Sequence, residues 1–255
     1  MQNREIYFNT FFLILITVFF AGIFWLWRNE VNSLNIQDIQ VVKDINVIKI
    51  EAVENKKKKL EMNLAVPFTS QAPEKIWTQP WQDACEEATV LMLDAYYKGY
   101  KLSPLLAKDE LIKMVKWEES KGWGLSIEIE KIKELAEYYV GQFDPSSSAP
   151  TSTLNFKIID NPTVADIKQS IDAGQPVLVV AYGKTLPNPH FRNGGPEYHT
   201  LIISGYTETH FITNDPGTQF GQNFQYRYDV LLRAIHDWNG GKVKKGMSKI
   251  LIRKL

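Results

Sequence analysis

The chain has 255 residues, 44% of them apolar, and its 29 basic side chains balance 29 acidic ones to a formal net charge of zero. That composition supports a sizeable core and gives no basic field for nucleic acid, of which no motif is present either. A single cysteine excludes an intramolecular disulfide and a thiol zinc cluster, and the four histidines (His190, His199, His210, His236) lack the spacing of a metal site, so no metal or cofactor is expected.

Residues 6–27, IYFNTFFLILITVFFAGIFWLW, carry no charge. About 20 apolar residues cross a bilayer as a helix, and Trp25 and Trp27 suit its interface. The run is long for a signal peptide and no small-x-small cleavage site follows it. Flanking Arg4 and Arg28 argue against a core helix. Residues 1–28 are therefore predicted to be a single-pass membrane anchor, with the body of the protein on the extracytoplasmic side. Residues 29–63 read as a stalk. In it, IQDIQVVKDINVIKIEAV alternates imperfectly, as a short strand or a partner-binding segment would, and NKKKKLE is a solvated charge run.

Residues 64–255 have the composition of one globular domain. NLAVPF predicts a short strand. Residues 84–97 predict an amphipathic helix stopped by Gly99. Ser103-Pro104 opens a second helix, with serine as cap and proline in the first turn. Ser126 predicts the cap of a third, ending near Gly141, and PSSSAPTST (145–153) reads as a loop. Thr163 caps a fourth, VADIKQSIDA, with Asp166 in its first turn and Gly174 behind it. The period then changes to strands: PVLVVAY, YHTLIISGY, HFITND and SKILIRKL. Helices first and strands second predict an α+β fold.

The lone cysteine, Cys85, stands at the start of the first of these helices. A helix N-terminus favours the thiolate, which is the form that attacks carbonyls. Glu86 and Glu87 oppose that effect, so a basic partner is required, normally a histidine oriented by a third group. YHTLIISGYTETHFITNDPGT reads as a hairpin. With the turn centred on Thr207, His199 falls opposite Asp215 on one face. Leu201, Ile203 and Phe211 continue that face, which is expected to pack on the Cys85 helix. His210 alternates to the other face, His236 sits near a helix end, and His190 lies in a Gly/Pro-rich loop. Gln71, in VPFTSQAP, is the candidate oxyanion donor beside the backbone N–H of Cys85, with Gln79 and Gln82 competing for the role. Trp77, Trp81, Trp117 and Trp123 suit either a ligand cleft or the core.

The blocks VPFTSQAP…W…PWQDACEEAT, NPTVADIKQSIDAGQPVLVV, GGPEYHTLIISGY, FITNDPGT and AIHDWNGG together resemble the C39-like cysteine peptidases, a bacterial papain-fold group, from about Val66 to the C-terminus. The resemblance implies a papain-like fold in which an N-terminal helical part, carrying the cysteine helix, packs on a C-terminal antiparallel sheet. It implies Cys85 as nucleophile, His199 as base, Asp215 as orienting acid and Gln71 as oxyanion donor. The family often continues Cys-Gly-Pro after the nucleophile, whereas this chain has Cys85-Glu86-Glu87. Relatives that remove bacteriocin leaders are fused to an export ATPase, and no Walker motif occurs here. The expected activity is hydrolysis of a peptide or protein substrate by a membrane-held monomer. A thiol-dependent amide transferase would share the acyl-enzyme, and a silent peptide- or glycan-binding module would need none of the three residues intact.

Overall fold

The computed structural model describes residues 17–30, 39–50, 60–142 and 155–254. The chain divides into two compact units, Met1–Lys58 and Lys59–Leu255. In the first unit, residues 17–30 and 39–50 are helical. Among the described residues no helix is long and apolar enough to cross a membrane. Residues 6–16 of the expected span, and the loop at 145–153, lie outside the described residues. The stretch expected as an alternating strand is a helix over 39–50, in which the Gln40 side chain donates to Asp44 one turn on. Its apolar residues at 39, 42, 45 and 48 recur every three positions, a spacing nearer to the helical period than to the strand period.

Among the described residues the second unit holds seven strands: β1 (Met62–Asn63), β2 (Phe156–Asp160), β3 (Val177–Ala181), β4 (His199–Tyr206), β5 (His210–Asn214), β6 (Phe224–Arg227) and β7 (Lys249–Arg253). They form one antiparallel sheet in the order β2-β7-β3-β4-β5-β6, with β1 beside β4. Its helices, numbered within this unit, are α1 (Cys85–Lys98), α2 (Pro104–Ser120), α3 (Ile129–Gln142), α4 (Val164–Asp172) and α5 (Tyr228–Ala234). Local signals placed most of them. Gly99 ends α1 at φ 74°, the left-handed cap that glycine accepts without strain. Ser103 caps α2 through its side chain, and Thr163 and Asp166 form a complete capping box on α4. Three expectations shift. NLAVPF pairs only through β1, two residues long and starting at Met62. The third helix begins at Ile129 rather than just after Ser126. The edge strand β2 and the short β6 were not expected, and α5 only as the helix end near His236.

The sheet is covered on both faces. Leu91, Met92, Leu111, Met114, Ile132 and Leu135 of α1, α2 and α3 pack on Leu178, Val180, Ile202 and Leu251. Ile167, Ile171 and Leu231 of α4 and α5 pack on Val177, Val179, Leu201, Ile203 and Ile250. Strands buried on both faces read as unbroken apolar runs, which is why PVLVVAY and TLIIS show no alternation. The expectation that Leu201, Ile203 and Phe211 meet the Cys85 helix is therefore corrected. Those residues meet α4 and α5, and α1 takes the opposite face through Thr200 and Ile202.

Candidate active site

Cys85 is the first residue of α1. Ala84 in the capping position makes no side-chain cap, and the Glu86 and Glu87 carboxylates each draw on their own backbone N–H in the first turn. The thiol is buried at 5% exposure. It donates to Glu86 Oε2 at 2.9 Å. Burial first, and then the charge and hydrogen bonding of Glu86, hold the thiol well above the ordinary cysteine range; hydrogen bonding from Thr200 pulls weakly the other way. Thr200 is thus the point at which α1 meets β4, and Thr89, one turn further along α1, also reaches its hydroxyl at 3.4 Å.

His199 precedes Thr200 and opens β4. Its Nε2 lies 2.7 Å from Asp215 Oδ1, with the two residues 1% and 0% exposed. Asp215 Oδ1 also accepts the Gly217 N–H at 3.0 Å, and Oδ2 accepts from Asn188 Nδ2 at 3.2 Å and Tyr226 Oη at 2.6 Å. Burial alone would raise this carboxyl, but the charge and hydrogen bond of His199, with the Tyr226 and Gly217 donors, hold it below the usual carboxylate range. Phe191 sits edge-on to the imidazole, with ring centroids 5.4 Å apart. Gly217 is tight against the same ring: a Cβ there would lie 2.8 Å from His199 Cε1.

The expected register, His199 directly opposite Asp215, is corrected. The turn closes later, with Tyr206 opposite Phe211 and the Thr207 N–H bonded to His210 O at 2.8 Å. Continued without interruption, that pairing would set Asp215 against Ile202, on the α1 face and away from His199. A bulge between Ile203 and Gly205 inserts one residue and restores the parity, giving Ile203 opposite Thr213 and Ile202 opposite Asn214. Asp215 then follows level with Leu201, diagonal to His199 on the same face and within side-chain reach. The bulge is what re-aims the acid.

Gln71 borders the site, but its amide is engaged. Nε2 donates to the carbonyls of Trp81 at 3.0 Å and Gln82 at 2.8 Å, while Oε1 is buried without a partner among the described residues. As placed, it offers no hydrogen to an oxyanion. Gln79 donates to Asp83, and Gln82 lines a neighbouring cavity. The other histidines hold structural contacts: His190 stacks against Phe220, His210 bonds Thr209 Oγ1, and His236 Nδ1 lies 3.0 Å from Gly246 O. Of the tryptophans, Trp77 lines the cavity, whereas Trp81, Trp117 and Trp123 pack on the core.

That cavity, about 620 Å³, is walled by the neighbours of the catalytic candidates: Gln82 and Asp83 before Cys85, Tyr198 before His199, and Phe191 and Gly217 against the imidazole. Arg192, Asn193, Gly195, Pro196 and Glu197, from the loop ahead of β4, form its other wall. Among the described residues no group of three or more His, Cys, Asp or Glu is arranged to hold a metal. Sequence reasoning missed Asn188, Tyr226, Gly217 and Thr200, and it took Glu86 only as an opposing charge. Asn188 and Tyr226 lie 27 and 11 residues from Asp215 and carried no local signal.

The family described as Peptidase C39-like matches residues 63–241. A solved structure assigned to the C39-like peptidases, from Bacillus anthracis, is similar at 15% identity and a TM-score of 0.48, over 76% of this chain and 98% of its own. A comparison with curated protein sequences finds no match.

Proposed function

The chain belongs to the Peptidase C39-like family, and we propose that it is a cysteine peptidase in which Cys85 attacks, His199 moves the proton and Asp215 orients the ring. The observation that carries this reading is the buried His199–Asp215 pair, whose imidazole acts electrostatically on Glu86, the carboxyl bonded to the Cys85 sulfur. With Nε2 held by Asp215, Nδ1 is the nitrogen left to act as base. It takes the thiol proton, and the thiolate adds to the carbonyl carbon of a peptide bond. The negative oxygen is received by the backbone N–H of Cys85, the first residue of α1. Collapse expels the amine, which takes the proton from the imidazolium. Water, deprotonated by the same nitrogen, then releases the acid product and regenerates the thiol.

Gln71 joins as oxyanion donor by exchanging the carbonyl of Trp81 or Gln82 for the substrate oxygen. On this reading Gln71→Ala lowers kcat by roughly 10²-fold. The substrate is a peptide or protein lying in the cavity beside Gly217. The uncharged run 6–27, with Phe19, Phe20, Phe24, Trp25 and Trp27 all exposed, supports a membrane anchor holding a monomeric, extracytoplasmic catalytic body. The test is a peptide-library digest read by mass spectrometry, with Cys85→Ala and His199→Ala as controls. Both variants should lose turnover equally, because nucleophile and base act as one unit. Cleavage that persists in either variant overturns the mechanism. Products carrying an added amine in place of water would assign amide transfer instead.

A further inference from the structure

The steps above leave one buried acid in contact with the reacting sulfur without a task. Glu86 is 1% exposed, with Oε2 2.9 Å from Cys85 Sγ and Oε1 3.3 Å from the Ile127 N–H. Among the described residues no lysine or arginine pairs with it. The titratable groups around it are Cys85 and Glu87 from α1, Glu118 from α2, Tyr198 just ahead of β4 and His199 at its start, with Asp237 beyond Tyr198. Of these only His199 can carry positive charge. The N–H of Ile127 fixes one carboxyl oxygen, so the other stays on the sulfur whatever its protonation state.

A carboxyl held in that position has opposite effects in its two forms. As a carboxylate it accepts the S–H and repels the charge of a thiolate. As a carboxylic acid it has an O–H to donate, and a thiolate is the better acceptor. We propose that Glu86 is a further catalytic residue, which as an acid holds the Cys85 thiolate and as a carboxylate holds the unreactive thiol. The assignment rests on the peptidase reading for the role of Cys85. The protons balance as follows. With Glu86 protonated, the thiol proton passes to His199 and the sulfur accepts the Glu86 O–H. When Glu86 gives its proton to solvent, the imidazolium returns its own to the sulfur, and the S–H donates to Oε2. Burial pushes the Glu86 carboxyl up to about 7, against the pull of the Cys85, own-backbone and Ile127 hydrogen bonds and the His199 charge, so the exchange falls in the neutral range.

Cys85 is the only cysteine in the sequence, so its reaction with iodoacetamide, in which the thiolate displaces iodide, is read on the full chain in detergent without a cysteine-free background. From pH 5 to 9 the wild-type rate should pass through a maximum and fall as pH rises through about 7, before bulk thiol ionisation raises it again. In Glu86→Gln the amide N–H donates to the thiolate at every pH. The descending limb should vanish, and the rate at pH 8 should exceed wild type by roughly tenfold or more. A wild-type rate that only rises across this range overturns the assignment, whether or not the variant folds. A descending limb that survives in Glu86→Gln overturns it as well. Peptide hydrolysis is scored separately on the same samples. Hydrolysis with an alkylation profile indifferent to Glu86 removes only the Glu86 assignment. A Glu86-dependent profile without Cys85-dependent hydrolysis removes only the peptidase reading.

Discussion

Replacing Asp215 tests fold and site together, because four donors converge on its carboxylate. In Asp215→Ala the His199 Nε2, Gly217 N–H, Tyr226 Oη and Asn188 Nδ2 all lose an acceptor that is completely buried. A buried donor left without a partner costs about 1–3 kcal/mol. Asn188 also donates to Tyr226 Oη at 3.0 Å, and Gly217 borders the cavity, where water can reach it, so two of the four are softened. The expected loss is about 3–5 kcal/mol, the range for breaking a buried charged pair. At about 2–4 °C per kcal/mol for a domain of this size, the melting temperature falls by about 6–20 °C. Asp215→Asn keeps an oxygen toward His199 and Gly217. Its new NH2 donates to Tyr226, whose hydroxyl can turn, but it meets the Asn188 NH2 donor to donor, for about 1–2 kcal/mol. Turnover should follow the same order, with a loss of up to about 10⁴-fold for alanine and less for asparagine, which still orients the ring. The folded pKa of Asp215 is lowered, so its stabilisation is present above the unfolded value of about 3.9 and lost as pH falls through the folded one. Wild type should therefore show an acid-side loss of stability that Asp215→Asn lacks. Thermal melts from pH 3 to 7, paired with alkylation and hydrolysis rates, read all of this. Alanine melting within about 2 °C of wild type, or asparagine faring worse than alanine, would refute the reasoning.

Two further outcomes come from the same neighbourhood. Burial, and then the charge of Glu86, push Glu118 up to about 9, and its Oε1 has no hydrogen-bond partner among the described residues. A raised carboxyl stabilises below its unfolded pKa of about 4.3 and loses that contribution as pH climbs toward the folded value. Glu118→Gln should therefore raise the melting point at pH 8 by the equivalent of about 1–3 kcal/mol and much less at pH 4; an equal gain at both would show that the carboxyl is not the cause. Gly217→Ala puts a Cβ 2.8 Å from His199 Cε1 and 3.0 Å from Phe191 Cε1. It should lower kcat by roughly tenfold or more while circular dichroism stays native, because a misplacement of about 1 Å is costly in rate; unchanged kcat would mean that the ring has room to move.

How far the site could be read from sequence turns on Gly205. An isolated glycine inside a strand signals a bulge or a close backbone approach. Here it is both, since a Cβ at Gly205 would lie 2.2 Å from Met62 O where β1 crosses. The glycine was visible in the sequence. The strand that presses on it lies 143 residues earlier, paired as Met62 with Tyr206, and no local pattern announces that pairing. The turn was accordingly centred too early and the bulge missed, two errors that leave His199 and Asp215 on one face. The nature of the acid partner was legible from alternation; its diagonal placement was not. Capping boxes and glycine stops, which act within four residues, were read at α1, α2 and α4 with little error. Tyr226 and Asn188, which reach Asp215 across the sheet, needed the fold.

Glu86 shows where local reading has its limit. Adjacent side chains on a helix diverge, which made Glu86 seem a bystander to Cys85. The two are nevertheless bonded, because at the first turn the Ile127 N–H draws the carboxyl back over the sulfur. One titration then governs two properties. The folded pKa of Glu86 is raised to about 7, so its favourable contribution to folding is complete below about 4.3 and lost as pH rises through 7, a change of up to roughly 3–4 kcal/mol. Over the upper part of that window the thiolate loses the Glu86 O–H that donates to it. Glu86→Gln should consequently melt higher than wild type at pH 8, where its thiol also reacts faster, and the two gains should shrink together toward pH 5. Thermal melts and alkylation rates on the same samples separate this from a packing effect. A variant stabilised equally at pH 5 and pH 8, or more reactive without being more stable at pH 8, would mean that the acid touching the sulfur is not the acid that the buried site destabilises.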